Sequence, residues 1–178
     1  MTALPMNFLE AYYSRARVSF VRWDAHMRRH WFWYALPVAT LLVLHQFYML
    51  GANVTYSLPG DYYVIERGRA PGKGDITAFY WHGGGPYAPG TMFLKRVAGV
   101  AGDEISVQGR EVFVNGRLVG TAKETSRAGK PLAIITPGKI PEGYLYVQSD
   151  HKDSLDSRYA LTGLINVNQI IGRAHVIY

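Results

Sequence analysis

The sequence predicts a mainly β domain behind one N-terminal membrane-spanning helix. Three observations predict it. An uncharged apolar run of bilayer length lies near the start. A train of short apolar segments, punctuated by Gly, Pro, Asn and Asp, fills the rest. After residue 52, helical periodicity is scarce and strand signals dominate.

The chain has 178 residues, enough for one compact domain and an appendage. Hydrophobic residues make up 48%, aromatics 13% and charged residues 18%, which excludes a disordered chain. It has no cysteine, so disulfides, thiolate metal sites and cysteine nucleophiles are excluded. The net charge is +6, with an isoelectric point near 9.5, which raises the question of a nucleic-acid partner. The location of the charge argues against one. Arg15, Arg17, Arg22, Arg28 and Arg29 face only Glu10 and Asp24 within residues 1–30, so half of the net charge sits there.

Residues 31–60 contain no charged side chain. Within them, 31–51 approaches the roughly 20 residues that a bilayer span requires. Trp31, Trp33 and Tyr34 suit one interface, and Phe47 and Tyr48 suit the other. Pro37, His45 and Gln46 weaken the span. The expected organisation is a basic cytoplasmic segment over 1–30, an anchor over 31–51 and an extracytoplasmic domain over 52–178. A cleaved leader fits less well, because the basic start is long and the apolar run exceeds the usual length. A buried core helix is the remaining alternative.

In the domain, 62–65, 76–81, 92–97, 104–107, 112–114, 118–119, 144–147 and 173–177 read as strands. Asn115-Gly116 between apolar segments marks a hairpin. Residues 104–142 form the expected excursion, with an exposed part over 121–141. Short helical turns are expected at 161–165 and 168–171. The triple glycine at 83–85 lacks the following Lys-Ser/Thr and helix of a phosphate cradle, so it reads as a solvent-facing loop.

Lys95 follows an apolar-aromatic run and precedes a glycine turn closed by Asp103. Burial on a strand would lower its pKa and make its amine a proton acceptor. Ser57 lies upstream, at a corner before Pro59-Gly60. A serine beside a neutral lysine is one known form of the activated hydroxyl nucleophile. The backbone N–H of Ser57 is a candidate oxyanion donor. His82, His151 and His175 lack metal-ligand spacing, and no cofactor is called for. Pairing of His151 with a nearby acid is the weaker alternative for a base.

Four segments in order resemble the boxes of the type I signal peptidase family of Ser–Lys membrane proteases: Ser57-Leu58-Pro59; Gly74-Asp75-Ile76-Thr77-Ala78-Phe79; Lys95-Arg96-Val97 through Gly102-Asp103; and Ser149-Asp150-His151 with Ser154-Leu155-Asp156-Ser157-Arg158. Pro59-Gly60 and the short excursion resemble most closely the TraF-type peptidases of conjugative transfer. Two positions depart from the pattern: Ala101 stands where proline is common, and Ser149-Asp150-His151 replaces Gly-Asp-Asn.

The resemblance implies a signal-peptidase-like β catalytic domain with Ser57 as nucleophile and Lys95 as base. It implies Thr55 as a hydroxyl donor to the oxyanion, Ser154 as the group orienting the lysine, and Asp156 with Arg158 as a supporting ion pair. It further implies an inner-membrane endopeptidase that cleaves precursors after small residues. The specific expectation is maturation, by hydrolysis or cyclisation, of a conjugative pilin subunit. A general signal peptidase for secreted preproteins and an inert membrane-anchored β module of a secretion or pilus complex are the alternatives.

Overall fold

In a computed structural model of the chain, which describes residues 6–54 and 57–177, the polypeptide divides near His45/Gln46 into a helical unit and a β unit. The helical unit is α1 (Met6–Phe47), with Pro37 inside it. Trp23, Trp31, Phe32, Trp33, Leu41 and Leu42 of α1 are all exposed.

The expected span over 31–51 is corrected. Among the described residues no helix is long and apolar enough to cross a membrane. The polar rings of Trp31, Trp33 and Tyr34, together with Pro37, His45 and Gln46, dilute the aliphatic run. The helix also stops at Phe47, and the far end of the expected span is strand. Backbone pairing with a neighbouring strand wins there over continuation of the helix.

In chain order the strands are β1 (Tyr48–Ala52), β2 (Tyr62–Arg67), β3 (Ile76–Tyr80), β4 (Met92–Gly99), β5 (Glu104–Gln108), β6 (Glu111–Val114), β7 (Arg117–Thr121), β8 (Gly138–Lys139), β9 (Tyr144–Gln148), β10 (Ile165–Asn166) and β11 (Ile170–Val176). They form a seven-stranded sheet, β1-β2-β11-β3-β4-β9-β10, and a four-stranded sheet, β7-β6-β5-β8. Every pairing is antiparallel. The architecture is therefore mainly β, and all eight expected strands are present.

β1, β8 and β10 were not expected. The first is hidden in the apolar run, and the other two, with two residues each, are too short to carry a period. The helical turn expected at 161–165 is a non-helical turn leading into β10. The one expected at 168–171 lies at Val167–Gln169, where Asn166 caps a 3-10 turn. The Asn-Gly hairpin joins β6 to β7, with φ of 50° at Asn115 and 75° at Gly116, as such a turn requires.

β4 is buried on both faces, and its alternation sets up the site. Leu94 enters a cluster with Leu58, Tyr63, Ile65 and Ala78. Phe93 and Val97, on the opposite face, join Phe79, Trp81, Val147 and Ile165. Lys95 lies between Phe93 and Val97 on that second face and pairs across to Thr77 on β3. A third cluster, with Ile105, Val112, Val114, Ile140 and Tyr146, underlies the smaller sheet.

Candidate active site

Three separate segments bring Ser57, Lys95 and Ser154 together. Lys95 is fixed by its strand, whose i±2 neighbours are apolar. Its side chain is 5% exposed, and its Nζ lies 5.7 Å from the centroid of the Phe93 ring. Nζ is 3.2 Å from Ser57 Oγ and 2.7 Å from Ser154 Oγ.

Ser57 sits in the turn between β1 and β2. The turn is held by Leu58, buried in the core, and by Asn53. The Asn53 side chain donates to the carbonyls of Leu58 (2.7 Å) and Gly60 (3.1 Å). Gly60 adopts φ 87°, a conformation that favours glycine. The Tyr63 hydroxyl donates to the Pro59 carbonyl from below.

Ser154 lies in the segment after β9. Ser157 latches this segment to β9: its backbone N–H donates to the Val147 carbonyl, and its hydroxyl accepts from the Val147 N–H, each at 3.0 Å. Asp156 and Arg158 are 0% and 4% exposed at their side chains and pair through two bonds. Arg158 Nε donates to Oδ1 at 2.8 Å and Nη2 to Oδ2 at 2.9 Å. Asp156 also accepts the Ser149 N–H at 3.1 Å. Arg158 further donates to the Thr121 and His151 carbonyls, both at 3.2 Å. Gly120 on β7 makes room for it, since a Cβ there would lie 2.9 Å from Arg158 Cδ. The smaller sheet thus buttresses the segment that carries Ser154.

Burial pushes the Lys95 ammonium down from its ordinary 10.5 to about 8. The Asp156 carboxylate works against that shift and the Arg158 cation with it. A dry lysine beside an acid would ordinarily stay charged. Here the acid is engaged by two guanidinium bonds, so its pull on Lys95 is largely offset.

Sequence reasoning missed two residues of the site. Ser149 Oγ donates to the Ser57 carbonyl. Asn53 Oδ1 accepts the Ser57 N–H at 3.3 Å. Together they grip the Ser57 peptide from both sides. The Asn53 signal was an Asx residue opening a Pro-Gly turn. The Ser149 signal was the departure from glycine at that box. The Ser57 N–H points to the Asn53 side chain here, so service as an oxyanion donor requires that long, weak bond to be exchanged. Thr55, the other expected donor, lies outside the described residues.

A groove of about 1110 Å³ opens over Ser57, Lys95 and Ser154. Phe93, Tyr87, Leu155 and Leu161 give it an apolar wall, and residues 123–132 of the excursion give it a polar one. The glycine loop after β3 contributes Gly85, so it is part of the groove rather than a purely solvent-facing loop. His151 lines the groove, and its Nδ1 lies 3.2 Å from the backbone N–H of Asp153.

The family model described as signal peptidase, peptidase S26, matches residues 29–178. A probable signal peptidase I-2 of Synechocystis sp. is 34% identical over 85 residues, 47% of this chain and 37% of its own. Signal peptidase I of Bacillus amyloliquefaciens is 30% identical over 94 residues, 48% of each chain. Signal peptidase I of Pseudomonas aeruginosa is 26% identical over 143 residues, 61% of this chain and 49% of its own. The chain spans about half the length, or less, of these relatives. A crystal structure of a signal peptidase I from Enterococcus faecalis aligns with 59% of this chain and 97% of its own, at 21% identity and a TM-score of 0.39. The match over 29–178 shows that the chain belongs to the peptidase S26 signal peptidase family.

Proposed function

We propose that this member of the signal peptidase family is a serine endopeptidase working through Ser57 and Lys95. The observation that carries the reading is the buried Lys95 amine within 3.2 Å of Ser57 Oγ and 2.7 Å of Ser154 Oγ. A neutral amine has two protons and one lone pair. Donation to Ser154 fixes its orientation and turns the lone pair toward Ser57. Ser57 Oγ attacks the scissile carbonyl while its proton passes to Lys95 Nζ. Collapse of the tetrahedral species expels the leaving amine, which takes that proton from Lys95. An acyl-enzyme on Ser57 remains. Water, or an amine of the substrate itself, then attacks the ester with Lys95 again as base. Water gives a linear product and an internal amine a cyclic one. Thr55 and the Ser57 N–H are the proposed oxyanion donors. Asp156 and Arg158 hold the Ser154 segment.

The proposed substrates are membrane-targeted precursors with small residues before the cleavage site. An extended chain docking in the groove by main-chain bonds would present alternate side chains to its pockets. The finer reading is a conjugative pilin subunit, supported by Pro59-Gly60 and the short excursion. A general signal peptidase is the second reading, favoured by relatives that are themselves signal peptidases I. We place the protein at the cell membrane, with its catalytic domain extracytoplasmic. The support is the five arginines preceding an uncharged run and the exposed apolar side chains of α1. A reporter fused at the C-terminus should function only outside the cytoplasm, and cytoplasmic activity would reverse this placement.

Co-expression with a candidate prepilin and, separately, a secreted preprotein, read by mass spectrometry, tests the function. Processing should disappear in Ser57→Ala, Lys95→Ala and Lys95→Arg, the last because guanidinium stays protonated. Unchanged processing in Ser57→Ala would leave only an inert β module. The product mass distinguishes hydrolysis from cyclisation, and the substrate that is cut distinguishes the two readings.

A further inference from the structure

The polar wall of the groove is a basic hairpin that the dyad does not use. Its stem is the antiparallel bridge between Thr125 and Pro131. Ser126 N–H donates to the Lys130 carbonyl at 2.8 Å, Gly129 N–H to the Ser126 carbonyl at 2.9 Å, and Leu132 N–H to the Glu124 carbonyl at 2.8 Å. Arg110 fastens the base, donating to the carbonyls of Ala122 at 3.1 Å and Leu132 at 2.9 Å. Asp153 ties the tip to the Ser154 segment by pairing with Lys123 and, at 3.0 Å, with Arg127. The hairpin is therefore held beside the dyad from two sides.

Charge on this wall is one-sided. Lys123, Arg127 and Lys130 all line the groove, and Asp153 is the single acid among the described lining residues. One carboxylate shared by two cations leaves positive charge in excess. Lys130 makes no ion pair among the described residues. Glu124, the acid of the hairpin itself, is not part of the lining. The Arg127 side chain is 79% exposed, so an incoming carboxylate can reach it without breaking into a dry site.

We propose that this hairpin is a specificity element, and that the substrate chain carries an acidic side chain next to its small-residue cleavage site, where Arg127 and Lys130 read it. The proposal rests on the peptidase reading and names a substrate feature beyond the small residues. Attraction in a solvated groove is screened and modest, so the selectivity is graded rather than absolute.

Binding to the full-length Ser57→Ala protein tests it without requiring turnover. Peptides with alanine before the scissile bond would carry Glu, Gln or Lys, moved position by position along either side. At one position or two neighbouring ones, Glu should bind about fivefold more tightly than Gln, and Lys more weakly than both. That preference should shrink at high salt and vanish in the added double variant Arg127→Gln/Lys130→Gln, where Lys123 still holds Asp153. Equal affinity for Glu and Gln at every position, a preference that survives the double variant, or no binding by any peptide would overturn it. Cleavage of the same peptides by the protein with Ser57 intact tests the peptidase reading separately. The Gln peptide should be cut by that protein and left intact by Ser57→Ala.

Discussion

Asp153 and Asp156 lie three residues apart in one segment, and each pairs with basic side chains, yet they do different work. Asp156 is 0% exposed and takes a two-bond guanidinium from an equally buried Arg158. Asp153 is part-buried, but its partners Lys123 and Arg127 stand 43% and 79% exposed, and their hydrogen bonds hold its carboxyl down at about 2. The difference teaches that burial, more than pairing, decides what an ion pair does. The dry pair fixes the Ser154 segment and tunes Lys95. The wetter pair positions the hairpin wall beside the groove and leaves charge to spare.

The largest effect expected from that contrast is on stability. Arg158→Ala leaves a buried carboxylate uncompensated and should destabilise the domain by about 3–5 kcal/mol, measured by denaturant unfolding. It should also raise the Lys95 pKa, since the acid it releases then acts on the amine alone. A loss no greater than that of a surface substitution would break the comparison.

Lys95→Met sharpens it from the other side. A depression from 10.5 to about 8 means that folding opposes the charged lysine. Below pH 8 the group is protonated in both folded and unfolded chains, and the whole penalty is present. Between about 8 and 10.5 the folded group is neutral while the unfolded one still holds its proton, so stability rises with pH across that window. Lys95→Met should therefore stabilise the inactive protein by on the order of 2 kcal/mol at neutral pH, after the lost bond to Ser154 is subtracted. The gain should fade as pH approaches 10.5. Destabilisation at neutral pH would contradict the buried-charge account.

The smallest effect is expected at Asp153, whose partners are solvent-exposed. Asp153→Asn should shift the Tm by less than about 2 °C, because solvated pairs contribute little. A shift as large as that of Arg158→Ala would erase the distinction between the two pairs.

The parts of the site written in sequence are those whose chemistry is carried by residue type and order. Lys95 on an apolar strand and Ser57 at a Pro-Gly corner were legible from the residues, Ser154, Asp156 and Arg158 only through the family resemblance, and the structure brings all five together. The strands were legible too, because their period-2 pattern matches a half-buried sheet. Asn53 and Ser149 were harder to read, since both act through side-chain bonds to backbone groups around Ser57, and Ser149 reaches its partner from 92 residues away in the chain. β1 was hidden by its apolarity, which suits a strand and a helix equally. The reach of the hairpin over the groove was invisible for a similar reason: it depends on Asp153, twenty-six residues beyond Arg127 in the chain.

The central claim is that Lys95 works as a neutral base in a dry site, and the pH dependence of kcat/KM on a cleavable precursor peptide tests it most directly. The rate should climb from about pH 6 and level off above about 8, following deprotonation of Lys95 in the free enzyme, and the ascending limb should vanish in Lys95→Ala. A rate that falls steadily from about pH 6 to about pH 9 in the folded protein would contradict a lysine base and shift attention to His151 in the same groove.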